Sequence, residues 1–371
     1  MKKILALILI LSAFTGISHA DIVYTTSDSN LGAIPVTSKT EIGTPSIYYS
    51  GVGSEPLVGS YTVGTAPYVM VMDREPDSVS GDTALIFSAS DLTSPVKSVT
   101  LNGVHDTKTF AGSYNGRSLF FASDASIIEF TSSSPDIPIN IYTYVNTSED
   151  SAYDPEIADI SVGLNYIFAL FRPTPYKTEL FAFDGQLKEN IKNFRRGEIR
   201  NDATHLAALS SNRFAIGADG GISLANVNSI RTIISSDYPV KTTCRDRGNG
   251  LYYAEQSESG DVNLWHYNPD GETVTLIDSM EGTSECQLVR DSYSNILALM
   301  AGDSIYLYDM ELDELLVSFN ESSLGGTPLN ITVSRAEHDE GKSSSSNCSV
   351  SCMGAIMISV MGFAFRRKRH N

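Results

Sequence analysis

Sustained helical periodicity and charged residues are both scarce in this sequence. Only 19% of its 371 residues are charged, whereas helical proteins are usually rich in Glu, Lys and Ala. The chain instead contains 28 Gly, 18 Tyr and 15 Phe, residues that favour turns or strands. These features argue against a helical protein and predict a β-rich protein of the extracellular kind.

Basic residues are also few, and several of them lie at the two ends of the chain. The whole sequence has 26 Lys and Arg against 44 Asp and Glu, a formal charge of −18. Residues 1–20 contain two lysines, residues 366–371 contain four basic residues, and neither segment contains an acid, so 20 basic and 44 acidic side chains lie between them. A body this acidic repels nucleic acid and anionic membranes. Its charge fits either solubility outside the cell or binding of cations or a basic partner.

Recognisable catalytic and metal-binding motifs are missing as well. The four histidines of the central chain, His105, His205, His266 and His338, have no paired spacing of the kind that zinc sites use. The calcium-loop pattern D-x-[DN]-x-[DN]-G, the hydrolase pattern G-x-S-x-G and the Gly-rich phosphate loop are absent. We therefore expect no metal and no cofactor, and no motif identifies a catalytic residue.

The sequence does contain a repeat with the length of a propeller blade. Its clearest copy runs from Cys244 to Tyr267 and reads as three strands separated by turns at Asn249-Gly250 and Ser259-Gly260-Asp261. Four other windows align with it, beginning at Phe110, Ile160, Leu206 and Gln287. The Asn residues of the first turns are 50, 47, 37 and 46 residues apart, a period similar to that of WD-type repeats.

The two ends of the repeat region predict how the array closes. The segments from Ile22 match the second and third strands of the repeat, but no first strand precedes them. Pro328–Ser334 starts a repeat that does not continue. We therefore expect an all-β fold over residues 21–336, a β-propeller of seven four-stranded blades closed by one blade that both termini share. Six or eight blades are the alternatives.

The repeat also predicts where the strands begin. First strands are expected near residues 69, 110, 159, 206, 243, 286 and 330. In this scheme Ser46–Val63 completes the first unit and Tyr68–Asp73 opens the second. Middle strands, such as those containing Phe120, Phe168 and Leu297, are expected to be buried between blades.

Residues 1–20 have the features of a secretory signal peptide. Two lysines precede an apolar run from Ile4 to Ile17, and the small residues Ser18 and Ala20 suit cleavage before Asp21. The sequence therefore predicts recognition by the export machinery.

The carboxyl end contains a second addressing segment. Residues 337–347 form a flexible, Ser-rich spacer. Cys348, Cys352, thirteen apolar residues and the basic cluster Arg366–Arg369 follow within residues 348–371. Thirteen residues make only about 20 Å of helix, short of the roughly 30 Å hydrocarbon core. The positive-inside rule would leave the body outside the cell.

This order of features resembles the C-terminal protein-sorting tails of bacteria, most closely the Synergist type (SYNERG-CTERM). The resemblance covers the last 29 residues. It implies recognition by a membrane-embedded processing enzyme, cleavage at or near Cys348 or Cys352, and display on the cell surface. The alternative is a permanent, tilted membrane anchor formed by the same segment.

Cys244 and Cys286 lie on first strands of successive repeats, where an exported protein could form a disulfide. Cys244 precedes its turn Asn by five residues and Cys286 by nine, an offset of about 13 Å along a strand. That distance is beyond a disulfide unless the turns differ in length. A bridge and two buried free thiols both remain open.

Four residues are candidate binding residues. His205 starts a first strand and Asp159 lies on the preceding one, so the two could meet at the mouth of the axial channel. Arg195 and Arg196 belong to the one basic segment, Gln186–Asp202, which fits either docking of an acidic partner or a solvated outer strand.

Two functions are consistent with these features. The first is an exported, cell-surface propeller without catalytic activity that binds a protein, peptide or glycan through its blade loops. The second is a secreted hydrolase or lactonase of the propeller class with an axial active site, because a propeller can assemble a site from one residue per blade.

Overall fold

The computed structural model is an all-β protein and describes residues 21–334 with short gaps. The gaps are residues 64–65, 75–80, 102–103, 105–106, 113–117, 124, 132–133, 145–154, 164, 175–176, 188, 195–198, 201, 211, 282–285 and 292. One short helix, α1 (Glu321–Leu324), occurs among the described residues. No helix in this part of the chain is long and apolar enough to cross a bilayer.

Seven antiparallel four-stranded sheets are the blades of a β-propeller, as predicted. From inner to outer strand, blade 1 contains β30 (Pro328–Val333), β1 (Ile22–Thr26), β2 (Asn30–Ile34) and β5 (Ser46–Ser50); blade 2 contains β6 (Leu57–Val63), β7 (Ala66–Asp73), β8 (Thr83–Ser88) and β9 (Lys97–Thr100); blade 3 contains β10 (Thr107–Gly112), β11 (Ser118–Ser123), β12 (Ser126–Thr131) and β13 (Ser134–Thr143); blade 4 contains β14 (Glu156–Val162), β15 (Tyr166–Thr174), β16 (Lys177–Asp184) and β17 (Asn190–Phe194). Blade 5 contains β18 (His205–Ser210), β19 (Arg213–Ala218), β20 (Gly221–Ala225) and β21 (Ile230–Ser235); blade 6 contains β22 (Val240–Arg245), β23 (Leu251–Gln256), β24 (Val262–Asn268) and β25 (Thr273–Met280); blade 7 contains β26 (Cys286–Asp291), β27 (Ile296–Ala301), β28 (Ser304–Asp309) and β29 (Glu314–Asn320). A small hairpin of β3 (Val36–Ser38) and β4 (Glu41–Ile42) lies between β2 and β5.

The inner strands form a closed ring around the propeller axis. Each of the seven inner strands contacts the inner strands of both neighbouring blades. We call the face where the inner strands begin the upper face and the face where they end the lower face. Turns between first and second strands, and between third and fourth strands, therefore lie on the lower face.

Blade 1 is shared between the two termini, which confirms the predicted closure. Ile22 pairs with Val333, and Thr25 pairs with Asn330, in the antiparallel register of β1 and β30. At the lower end of this pair, the backbone N–H of Asp21 donates to Ser334 Oγ at 2.9 Å, and the N–H of Ser334 donates to the carbonyl of Asp21 at 2.8 Å.

One hydrophobic core fills each of the seven seams between neighbouring blades. The middle strand β27 shows why these strands are apolar throughout. Ile296 and Ala298 face the core shared with blade 1, whereas Leu297 and Leu299 face the core shared with blade 6. Because side chains alternate between two buried faces, both sets must be apolar. Phe120, Phe168 and Leu297 are buried as predicted.

The predicted inner strand of blade 2 was wrong. Tyr68–Asp73 belongs to the second strand, β7, and the inner strand is β6, which the sequence analysis assigned to the end of the first unit. Val69, Met70, Val71 and Met72 are all buried, which is the pattern of a middle strand packed on both faces. Because only a short connection joins β6 to β7, the sequence does not show clearly that a new blade begins at β6.

Cys244 and Cys286 carry free thiols. The hydrogen bond from Leu288 N–H to Thr242 Oγ1 places these two residues at one level of the neighbouring inner strands. Cys286 precedes Leu288 by two residues and Cys244 follows Thr242 by two, so the cysteines are offset by four residues, or about 13 Å. The register therefore keeps the two sulfurs apart, and the disulfide alternative was wrong.

Candidate functional site at the propeller axis

The inner strands of blades 4 and 5 bring Asp159 and His205 together, although the two residues are far apart in sequence. Asp159 is the fourth residue of β14, and His205 is the first residue of β18 at the upper face. The distance from Asp159 Oδ2 to His205 Nδ1 is 2.9 Å. The pair that the sequence analysis suggested therefore exists as a carboxylate–imidazole contact.

Asp159 also binds the backbone on both sides of this contact. Its Oδ1 accepts the N–H of Ile160 at 2.8 Å, and its Oδ2 accepts the N–H of Leu206 at 2.8 Å. The residue is buried, so these N–H groups would lose a partner if the carboxylate moved. Asp159 therefore holds blade 4 to blade 5, and a role as a mobile general base would disrupt that seam.

Both ring nitrogens of His205 have partners. Nε2 lies 3.4 Å from the carbonyl oxygen of Thr243 on β22, so the ring spans from blade 4 to blade 6. Burial alone lowers the pKa of His205, but the charge of Asp159 and its hydrogen bond outweigh burial, and the pKa is raised. The side chain retains 22% of its accessible surface, so part of the ring can meet a polar ligand.

Asp159 is one member of a belt of side chains that sequence reasoning did not find. At four seams, a polar side chain of one inner strand accepts a backbone N–H from the next inner strand. These pairs are Asp159 with Leu206 at 2.8 Å, Thr242 with Leu288 at 3.2 Å, Gln287 with Ile331 at 2.9 Å, and Asn330 with Val58 at 3.1 Å. The only sequence signal is a polar residue within each of these inner strands, and the repeat alignment does not place it at a common position.

The basic segment and the tail supplied the remaining candidates. The described residues do not include Arg195, Arg196, Cys348 or Cys352, nor the leader and the tail. Of the basic segment, Lys192 is described, and its ammonium lies 4.2 Å from the centre of the Phe194 ring. Within the described chain, no group of three or more His, Cys, Asp or Glu residues is arranged to hold a metal ion.

Comparison with known proteins identifies the fold. No protein-family model matches the chain, and no curated protein matches its sequence. Among solved structures, the chain is similar to a candidate 6-phosphogluconolactonase from Bacteroides fragilis, with 11% identity, a TM-score of 0.59, and coverage of 86% of this chain and 99% of that one. Apo AztD from Citrobacter koseri has 12% identity, a TM-score of 0.55 and coverage of 85% and 98%. A second candidate 6-phosphogluconolactonase, from Bacteroides uniformis, has 13% identity, a TM-score of 0.56 and coverage of 85% and 99%. At these identities, the likeness establishes a β-propeller and nothing finer.

Proposed function

We propose that this protein is an exported β-propeller, displayed on the cell surface through its C-terminal tail, that binds a protein, peptide or glycan with the loops of its upper face. The leader directs export. The tail resembles bacterial sorting signals and is processed at or near Cys348 or Cys352, or else it remains as an anchor.

One observation supports this arrangement more than any other. Asp21 and Ser334 are hydrogen-bonded to each other at the lower end of blade 1, so the described part of the chain both begins and ends on the lower face. A tether that continues from Ser334 leaves the upper face unattached. Loops on a rigid scaffold are the usual place for binding residues, and the upper face carries those between blades.

A second candidate function is lactone or ester hydrolysis at the axis. The contact between Asp159 and His205 favours it, as does the fold likeness to a candidate 6-phosphogluconolactonase. Against it, Asp159 is held by two backbone N–H groups and both ring nitrogens of His205 already face a partner, so the pair is arranged as a structural contact between blades. Binding therefore accounts for the geometry better than catalysis.

Localisation of the full-length protein tests the display proposal. We expect added protease to digest the propeller on intact cells, and a chain ending after Asn347 to be released into the medium. A variant with Arg366, Arg367 and Arg369 replaced by Gln is the matched control for the basic cluster and should be retained less well than the native chain. Recovery of the native protein in the cytoplasm with its leader intact would contradict the proposal.

Lactone hydrolysis by the purified full chain tests the second candidate. We expect no acceleration of 6-phosphogluconolactone hydrolysis above the rate in buffer, and no difference from the His205→Gln variant. A saturable activity that His205→Gln abolishes, while the variant keeps its melting temperature, would favour the enzyme.

A further inference from the structure

A second histidine lies between two carboxylates on the lower face, away from the axial pair. His266, on β24 of blade 6, places Nδ1 at 2.8 Å from Oδ2 of Asp313, which precedes β29 of blade 7. Its Nε2 is 3.2 Å from Oδ2 of Asp246, which follows β22. A carboxylate can only accept, so both ring nitrogens must carry a proton for both bonds to form. The geometry therefore fits an imidazolium cation between two carboxylates.

The groups around this cation are themselves held in place. The ring of Tyr252 stacks on His266 at 4.3 Å, and its hydroxyl lies 2.8 Å from Asp313 Oδ1. Asp246 Oδ1 accepts the N–H groups of Gly248 and Gly250 at 2.6 and 3.0 Å. Because neither carboxylate can follow a displaced ring without losing these bonds, the His266 contacts depend on its two protons.

Other charged groups continue the cluster from blade 6 to blade 1. Arg290 donates to the carbonyl of Asp246. Arg247 contacts Glu311 at 2.9 Å, and Lys39, in the turn between β3 and β4, contacts Glu311 at 2.7 Å and Asp309 at 3.0 Å. The thiol of Cys244 is the remaining titratable group near Tyr252. We call the set of His266, Asp246, Asp313, Arg247, Glu311, Asp309 and Lys39 the lower-face clamp.

We propose that His266 is a proton-operated latch between blades 6 and 7, closed while the imidazole carries both protons and opened when it loses one. When the ring loses one proton, the lone pair of that nitrogen faces a carboxylate oxygen. The contact between these two atoms then becomes repulsive. The seam then opens on the lower face, beside the Lys39 contacts that join blade 7 to blade 1. This inference does not depend on the proposed binding function.

The direction of the pH dependence follows from the contacts. Burial by itself lowers the pKa of His266, but the hydrogen bonds and charges of Asp246 and Asp313 outweigh burial and raise this pKa to about 9. Since the unfolded pKa is about 6.5, the stabilisation is complete below that pH and is lost as pH rises through about 9. Burial by itself raises the pKa of Asp246, but the hydrogen bonds from His266, Gly248 and Gly250 and the charge of His266 outweigh burial and lower this pKa.

Titration of the imidazole in the full-length protein tests the latch directly. NMR of labelled histidine, with His266→Gln to identify the resonance, should show a midpoint of about 9 for His266. Asp313→Asn removes one carboxylate and keeps the histidine, so its midpoint should fall toward the ordinary value. A native midpoint between 6 and 7 would overturn the proposal. If His266→Gln failed to fold, the resonance whose midpoint changes in Asp313→Asn would identify His266.

Thermal melts give the second readout. The melting temperature of the native protein should fall between pH 7 and pH 10, and that of His266→Gln should start lower at pH 7 and meet the native curve at pH 10. Asp270→Asn, in a neighbouring turn outside the clamp, should follow the native curve. Parallel curves for the native protein and His266→Gln would show that the latch does not exist.

Discussion

The axial pair of Asp159 and His205 and the His266 latch on the lower face both join an aspartate to a histidine across a seam between blades. The aspartates of the two regions have different partners. Asp159 accepts hydrogen bonds from two backbone N–H groups and also contacts His205. Asp313 binds His266 and the hydroxyl of Tyr252, and Asp246 binds His266 from the other side. Removing Asp159 or Asp246, which both accept two backbone N–H groups, should therefore damage the fold, whereas removing Asp313 should chiefly change the response to pH.

The largest effects should come from the cores behind the two regions. Phe168, behind the axial pair, stacks on Phe214 with ring centres 4.1 Å apart, and Leu297 is buried behind the latch. We expect Phe168→Ala to lower the free energy of unfolding by about 3–5 kcal/mol and Leu297→Ala by about 2–5 kcal/mol. Denaturant unfolding measures both. Unchanged stability in either variant would mean that the corresponding seam is not packed as described.

Asp159→Ala should have the second-largest effect on stability, because it leaves buried N–H groups of Ile160 and Leu206 without acceptors. We expect a loss of roughly 3 kcal/mol in the free energy of unfolding, because each buried N–H left without an acceptor costs about 1–3 kcal/mol. Asp159→Asn keeps one acceptor oxygen and is the matched control, with a smaller loss. Equal stability of the native protein and Asp159→Ala would contradict the structural role assigned to the axial aspartate.

The pH dependence of the two histidines should differ in size. The pKa values of both are raised, so both contribute stability that is lost as pH rises. His266 faces two carboxylates and His205 faces one, so His266→Gln should remove more of the alkaline slope than His205→Gln. Thermal melts of the two variants from pH 6 to pH 10 measure how far each melting temperature falls with pH. A larger reduction of this fall in His205→Gln than in His266→Gln would contradict the prediction.

Lys39→Gln should have the smallest effect. Its contact with Glu311 is solvent-exposed, and such pairs contribute little and are screened by salt. Asp309 is buried, but its carboxylate keeps the backbone N–H of Glu311 as a donor when Lys39 is replaced. We expect a small drop in melting temperature at low ionic strength that disappears in 1 M NaCl. An effect that persists in high salt would mean that the hairpin of β3 and β4 is held by more than charge.

Much of the fold could be predicted because its signals are local or periodic. The unmatched segments at Ile22 and Pro328 predicted a shared blade, and the apolar runs around Phe120 and Leu297 predicted strands buried on both faces. Blade 2 was misread because β6 contains Gly59 and Ser60 and resembles a loop, whereas β7 has the stronger apolar pattern. An inner strand is defined by its position at the propeller axis, and a short stretch of sequence gives no information about that position.

The site was harder to predict than the fold. The sequence suggested that Asp159 and His205 could meet, because both lie on inner strands of successive repeats. It gave no sign of the latch, since Asp246, His266 and Asp313 occupy a first turn, a third strand and a turn of the next blade. Such residues approach one another only when two blades pack, so their spacing in the chain carries no chemical pattern.

The mass of the mature protein, isolated from the surface of intact cells, tests the proposed display most directly. The account predicts a chain that begins at Asp21 and ends at or near Cys348 or Cys352, with or without an added lipid. A full-length surface protein starting at Asp21 would instead support the permanent anchor. A chain that retains residues 1–20 and ends at Asn371 inside the cell would contradict surface display by either route.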